Sequence, residues 1–376
     1  MNELADLQKR AWAQIDLDSI QHNFLSVKCK TCCVVKANAY GHGAVQLSKL
    51  FESLGATYLA VSNIEEAIQL RKANITLPIL ILGYTPVKCA KKLAQYDLEQ
   101  TIYNIQYAND LNERALSDNV RIKVHIKIDT GMGRIGFQYH DGVDELELAY
   151  ESAKKEQLTT IGIFTHFAIS DEGDNAFTRK QFDYFSKAIV YLEKRGLSFK
   201  VKHCSNSAAI IDYPEFHLDM VRAGLSLYGI NPTRNKKVSL SPALSLWSVV
   251  SNVKTIRKGD SVSYGRTFVA DNDMQIATIP IGYADGFWRS NQGSRVYLNG
   301  EYCKIIGRVC MDQIMIECKN AKIGDLVEIY GQHVTVEEVA EHNGTIPYEV
   351  LCSIGERVPR VYVKNGEIVE VVDRLI

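Results

Sequence analysis

The chain has 376 residues, 46% hydrophobic and 23% charged, and its 43 Lys and Arg against 44 Asp and Glu give a formal net charge of −1. Such a composition belongs to a folded globular protein and excludes a disordered or fibrous chain, and the near-zero balance gives no electrostatic reason to expect nucleic acid or an anionic membrane as partner. At roughly 100–200 residues per domain, the length predicts two domains, or one large barrel with an addition.

The opening MNELADLQKRAW lacks the apolar stretch of a signal peptide. Over residues 12–235, short apolar runs alternate with amphipathic stretches. Strands are predicted at 31–36, 57–62, 79–83, 100–103, 122–129, 160–166, 200–205 and 218–222. Helices are predicted at 44–54, 64–72, 105–116, 144–156 and 180–195, where apolar residues recur at three and four. Eight alternations with strands apolar enough to be buried on both faces predict an α/β fold, a closed (β/α)8 TIM-type barrel. An open doubly wound sheet is the competitor, since periodicity alone does not separate the two.

At NPTRNKKVSLSP, residues 231–242, the chain turns polar and reads as a linker. From 236 to 376, β-branched runs at 244–256, 274–279, 295–298, 302–309, 313–317, 326–329 and 361–363 predict a predominantly β C-terminal domain. Residues 1–11 are expected to pack near it. The nine Cys are an odd number scattered over a long chain, as in a cytoplasmic enzyme with reduced thiols. Cys29-x-x-Cys32-Cys33 runs into an apolar strand with no second ligand pair at zinc spacing, so no metal is expected.

Active sites of such barrels gather at the carboxyl ends of the strands, where polar residues closing an apolar run are informative. The first predicted strand ends in Lys36, followed by Tyr40-Gly-His-Gly; a Lys closing a buried strand is costly unless it snorkels, pairs or is neutralised, and a neutral amine forms Schiff bases. The fifth carries Lys127 and Asp129 and leads through a Gly-rich turn to Arg134, suited to a carboxylate or phosphate. The sixth ends at His166. The seventh ends at His203 and runs through Asn206 and Ser207 into a helix, and the eighth ends at Arg222 and Gly224; both suit phosphate. One buried His is usually a core residue, but two His, two Arg and a Lys at strand ends of one barrel are hard to explain as core.

At these residues the chain resembles the alanine racemase family, enzymes that depend on pyridoxal 5′-phosphate (PLP). The stretches carrying the resemblance are VVKANAYGHG, IDTGMGRIGF, FTHFA, HCSNSAA, VRAGLSLYG, SYGRTF, PIGYADG, GRVCMDQ and PYEVLC, in order from Val34 to Cys352. The resemblance implies a PLP-bearing barrel followed by a β domain, a head-to-tail homodimer with shared sites, and racemisation of alanine for peptidoglycan precursors. It implies that Lys36 is the Schiff-base lysine and one acid/base, and that Tyr264, from the partner subunit, is the other. It assigns the cofactor phosphate to Tyr40, Ser207, Gly224, Leu225 and Tyr348, a further cofactor contact to Asn206, and the pyridine nitrogen to Arg222, with His166 and His203 supporting Arg222 and Tyr264. Arg134 and the Met311 backbone match substrate-carboxylate contacts, and Tyr283, Cys310 and Asp312 match pocket-lining positions. Lys127 matches a lysine that is carbamylated in many members.

Racemisation takes a proton from one face of Cα and returns one to the other, so acid/bases must stand on both faces. Lys and Tyr both titrate near 10 when unperturbed and must be tuned for this work. Three other readings are a membrane-linked serine/alanine racemase of the vancomycin-resistance type cut to its soluble part, a PLP-barrel decarboxylase, and a non-catalytic PLP carrier. The first is expected to have a smaller polar residue at Tyr348, the second a carboxylate at Arg222, and the third no second domain.

Overall fold

The computed structural model describes residues 7–233 and 238–376. The first six residues, and the part of the expected linker at 234–237 with the domain boundary placed in it, lie outside the described residues. The chain forms two compact units. One comprises Gln21–Ala39 and the described residues from Ala44 to Leu240; the other comprises the chain up to Ile20, Tyr40–Gly43 and Ser241–Ile376.

In the first unit, eight parallel strands form one sheet: Thr31–Val34, Tyr58–Val61, Ile79–Ile81, Glu99–Ile102, Ile122–Asp129, Leu158–Phe164, Val201–His203 and Val221–Ala223. The eighth pairs with the first, Val221 opposite Thr31. Between the seventh and eighth, Arg222 N donates to Ser205 O (2.9 Å) and Asp219 N to Lys202 O (3.1 Å). The sheet therefore closes on itself, which excludes the open doubly wound alternative. TCCV, YLAV and ILI are buried along their whole length, as strands with side chains on the inside and helices on the outside must be. Helices Ala44–Ser53, Ile64–Lys72, Ile105–Ser117, Leu146–Ala153 and Ala176–Lys194 cover the outside, three of them capped by Asn63, Asn104 and Asn175 side chains. A small hairpin, Phe137–His140 with Val143–Asp144, ends at Asp144, so the helix predicted from 144 begins at Leu146.

The second unit is built on a ten-stranded sheet. Ala11–Asp16 is the third strand from one edge, antiparallel to Leu244–Val249 and parallel to Arg360–Lys364. The barrel therefore does not begin at residue 12 as expected. Trp12, fully buried with Val361 and Val363 and packed by Leu7, Trp247, Val249 and Leu326, fastens the N-terminal segment there. The run predicted at 244–256 breaks into Leu244–Val249 and Asn252–Ile256. Two short helices, Val336–His342 and Pro347–Cys352, and a last strand, Glu367–Val372, lie in a domain whose sequence shows only β character.

Candidate active site

In the barrel unit, Lys36 follows the first strand and opens a turn with unusual backbone geometry. Ala37, Asn38, Ala39 and Tyr40 all have positive φ, between 52° and 53°. None is glycine, and a left-handed conformation costs an ordinary residue roughly 1–2 kcal/mol. Ala39 N donates to Val35 O (2.8 Å), and Asn38 Oδ1 accepts from Ala44 N (3.0 Å). Glu66 Oε1 accepts from Ala37 N and its Oε2 from Ser62 N, both at 2.7 Å.

The fifth strand brings Lys127 and Asp129 to the same end. Asp129 gathers the next loop by accepting from the N–H groups of Gly131, Met132 and Gly133 (2.8–3.2 Å), which fixes the turn from which Arg134 projects. Gly136 is required there, because a Cβ would lie 2.7 Å from Asp129 N. Lys127 is buried, with its ammonium over the Phe164 ring at 5.1 Å. Burial, then the charges of Arg134 and Arg222, push its pKa down to about 7. The charges of Arg222, Lys127, Arg134 and Lys36 all reach His166.

Arg222, from the eighth strand, is held on every side. It donates to His203 Nδ1 (2.9 Å), Thr165 O (2.8 Å) and Cys204 O (3.0 Å), with His166 Nδ1 at 3.3 Å. Burial lowers it only to about 10, so it stays a cation at neutral pH. Burial and then the Arg222 charge hold both histidines well below their ordinary value, hence neutral. Because Arg222 donates, His203 Nδ1 must accept, leaving its Nε2–H to donate to His125 Nδ1 (3.1 Å). His125 Nε2–H then donates to the Glu99 carboxylate (2.7 Å). Gly162 makes room for this chain: a Cβ there would meet His125 Nδ1 at 2.5 Å. His125 escaped the strand-end search because it lies within its strand, and Glu99 because it opens its strand at the end away from the carboxyl termini. A period-two reading was available, since His125, Lys127 and Asp129 alternate along one face.

The seventh and eighth strand ends converge on Ser207. Its Oγ accepts from Gly224 N (2.8 Å) and Ser226 N (3.3 Å), with Ser226 Oγ at 3.2 Å, and Leu225 follows directly in a buried turn. Asn206 caps the short helix, its Oδ1 accepting from Ala209 N (3.0 Å) and Ser170 Oγ (2.9 Å). A cluster of backbone N–H groups and hydroxyls matches the donors a phosphoryl group needs, so this end of the barrel fits a phosphate-bearing cofactor.

The second unit gathers the remaining expected residues. Tyr264, Cys310, Met311 and Asp312 line one recess of about 370 Å³ with Ser263 and Gln313. Tyr264 is 68% exposed at the rim. Ser263 Oγ donates to Arg308 O (2.7 Å) beneath it. Tyr283 joins the same group because Tyr283 N donates to Cys310 O (3.1 Å) and Ala284 N to Met311 O (2.8 Å). Gly282 permits the approach: a Cβ would lie 2.3 Å from Cys310 O. Separately, the Tyr40 and Tyr348 rings lie 5.9 Å apart. Burial, then Tyr348, raises the Tyr40 pKa, so Tyr40 is a hydroxyl donor at any ordinary pH. Arg360 Nε donates to Gly41 O and Tyr362 OH to His42 O, both at 3.0 Å, which anchors Tyr40–Gly43 in this unit. No group of His, Cys, Asp and Glu among the described residues is arranged to hold a metal ion.

Comparison with known proteins follows the same division. Residues 15–232 match the model of the alanine racemase N-terminal domain, and residues 243–362 that of the C-terminal domain. The chain is 44% identical to an alanine racemase of Clostridium perfringens over 378 residues, covering 96% of this chain and 97% of that one. Solved structures of alanine racemases from Clostridium difficile 630 (41% identical, TM-score 0.94, covering 98% and 100%) and Bacillus anthracis (36%, 0.92, covering 98% and 99%) share its fold. The latter has L-Ala-P bound.

Proposed function

Because the chain belongs to the alanine racemase family, it is a PLP-dependent racemase that interconverts L- and D-alanine, and we propose that Lys36 and Tyr264 are its two proton-transfer residues. PLP, when bound, supplies the electron sink that makes the substrate Cα–H acidic. Lys36 would hold the cofactor covalently and work on one face of Cα. Tyr264, delivered by the partner subunit of a homodimer, would work on the other. Tyr40, Tyr348, Asn206, Ser207 and the N–H groups of Gly224 and Leu225 would take the phosphate. Arg134 and the Met311 backbone would orient the substrate carboxylate, with Tyr283, Cys310 and Asp312 closing the pocket.

The observation that carries this reading is Arg222, a buried cation flanked by two neutral histidines. Facing the pyridine nitrogen of a bound cofactor, it would donate a hydrogen bond without giving up its proton. Such a contact would moderate the electron sink and favour returning the proton over side reactions. A decarboxylase is expected to have a carboxylate there; here the nearest one in this chain of bonds, Glu99, stands behind two imidazoles. A carrier lacking the second domain does not fit a chain that contains it, and the relatives do not favour the serine enzyme.

Lys127, with a pKa of about 7, has a neutral amine in a large fraction of molecules at neutral pH. Its nitrogen is suited to add carbon dioxide, releasing a proton and leaving a carbamate whose negative charge complements Arg134. The nine cysteines, none in a disulfide, support a cytoplasmic location, where D-alanine would supply peptidoglycan precursors. Among the described residues no helix is long and apolar enough to cross a membrane.

The test is kinetic and spectroscopic. Lys36→Ala should lose racemisation in both directions together with the absorbance change of lysine-bound PLP. Wild type should racemise alanine and serine with the higher kcat/KM for alanine, a difference of about 10²-fold at most for an added hydroxyl. Tyr348→Asn should gain on serine. A wild-type preference for serine overturns the alanine assignment, and racemisation by Lys36→Ala overturns the role of Lys36.

A further inference from the structure

Glu66 stands at the third position of helix Ile64–Lys72, whose N-cap is Asn63. An acid at this position ordinarily turns back to the N–H of its own cap residue, completing a capping box. Asn63 does its half, accepting from Glu66 N at 2.9 Å. The Glu66 carboxylate, however, reaches past its own helix. One oxygen takes Ser62 N, just beyond the second barrel strand, and the other takes Ala37 N, the residue after Lys36, each at 2.7 Å. Ala37 begins the four-residue left-handed turn, and nothing in its own side chain favours that conformation: Ala37 and Ala39 carry only a methyl group.

We propose that Glu66 is a positioning residue for Lys36: its carboxylate bridges the ends of the first two barrel strands and clamps the backbone after Lys36 in a left-handed turn. The turn sets the direction in which the chain leaves Lys36 and so fixes where the amine stands. A right-handed continuation would withdraw Ala37 N from Glu66 and re-aim the lysine. The inference rests on reading Lys36 as the PLP anchor, and the experiment separates the two.

Glycine adopts left-handed geometry without penalty, and β-branched residues resist it. In the holoenzyme, Glu66→Ala should weaken PLP retention and lower kcat on the order of 10- to 100-fold, as expected for losing charge-assisted hydrogen bonds, with little change in KM for alanine. Adding Ala37→Gly and Ala39→Gly to Glu66→Ala should recover most of that loss. Ala37→Val, at an exposed position with Glu66 intact, should reproduce the defect, which keeps the test open if Glu66→Ala folds poorly. Amide hydrogen exchange at residues 37–39 should speed up in Glu66→Ala and slow again in the glycine variants. Wild-type PLP retention in Glu66→Ala or in Ala37→Val overturns the clamp, as does a Glu66→Ala defect that the glycines leave unchanged. Should exchange respond as predicted while PLP fails to bind at Lys36 in wild type, the clamp stands and the anchor assignment falls.

Discussion

Lys127 shows how far one burial event reaches. In the unfolded chain its amine keeps a proton up to about pH 10.5, whereas in the folded chain burial and the neighbouring arginines drive it off near 7. Between those values the unfolded state binds more protons, so stability rises with pH; the penalty is fully present below about 7 and gone above 10.5. In carbon dioxide-free buffer, the Tm of wild type relative to Lys127→Met should therefore climb from pH 7 to pH 10. Parallel curves contradict the assigned cause. Lys36, His166, His203 and Arg222 were legible in the sequence because each is polar at or just beyond the end of an apolar strand, and Arg134 because a Gly-rich turn carries the chain to it from the fifth. Glu66 was not, since a Glu three residues after an Asn reads as half of a capping box. Glu99 was not, because the strand predicted from residue 100 begins one residue earlier and draws it into the barrel.

Among the elements, glycines mark where backbone must touch backbone, and these places hold the site together. Gly282 is the clearest. A methyl group there would sit 2.3 Å from Cys310 O and 2.5 Å from the Met311 carbonyl carbon, and neither is a flexible side chain that can move aside. Gly282→Ala should displace the 310–312 loop, costing about 1–3 kcal/mol of stability as overpacking does and raising KM for alanine at least as much as it lowers kcat. Unchanged KM shows that this loop does not meet the substrate. Longer elements announced themselves: all eight barrel strands lie where alternation placed them, to within a few residues. Val336–His342 and Pro347–Cys352 did not, since seven and six residues are too few turns to establish a helical period. Ala11–Asp16 was hidden for another reason. Its partners lie more than 200 residues away, and no local pattern carries that pairing.

At the scale of the whole molecule, the proposed proton-transfer and binding residues are divided between the two units: the barrel unit contains Lys36, Arg134 and Arg222, and the other contains Tyr264 and Met311. If Tyr264 serves the partner subunit, two dead variants complement each other. Mixing Lys36→Ala with Tyr264→Phe under conditions that exchange subunits should restore about a quarter of wild-type activity, because half the dimers are mixed and each mixed dimer has one complete site. No recovery places both residues of a site on one chain. The assignment of two proton-transfer residues is tested most directly by following Cα hydrogen exchange of L-alanine and of D-alanine with deuterated water on PLP-loaded Tyr264→Phe. The cofactor should remain bound while turnover falls by roughly 10²–10⁴-fold and exchange from at least one enantiomer falls with it. Exchange of both enantiomers at wild-type rates would contradict the account.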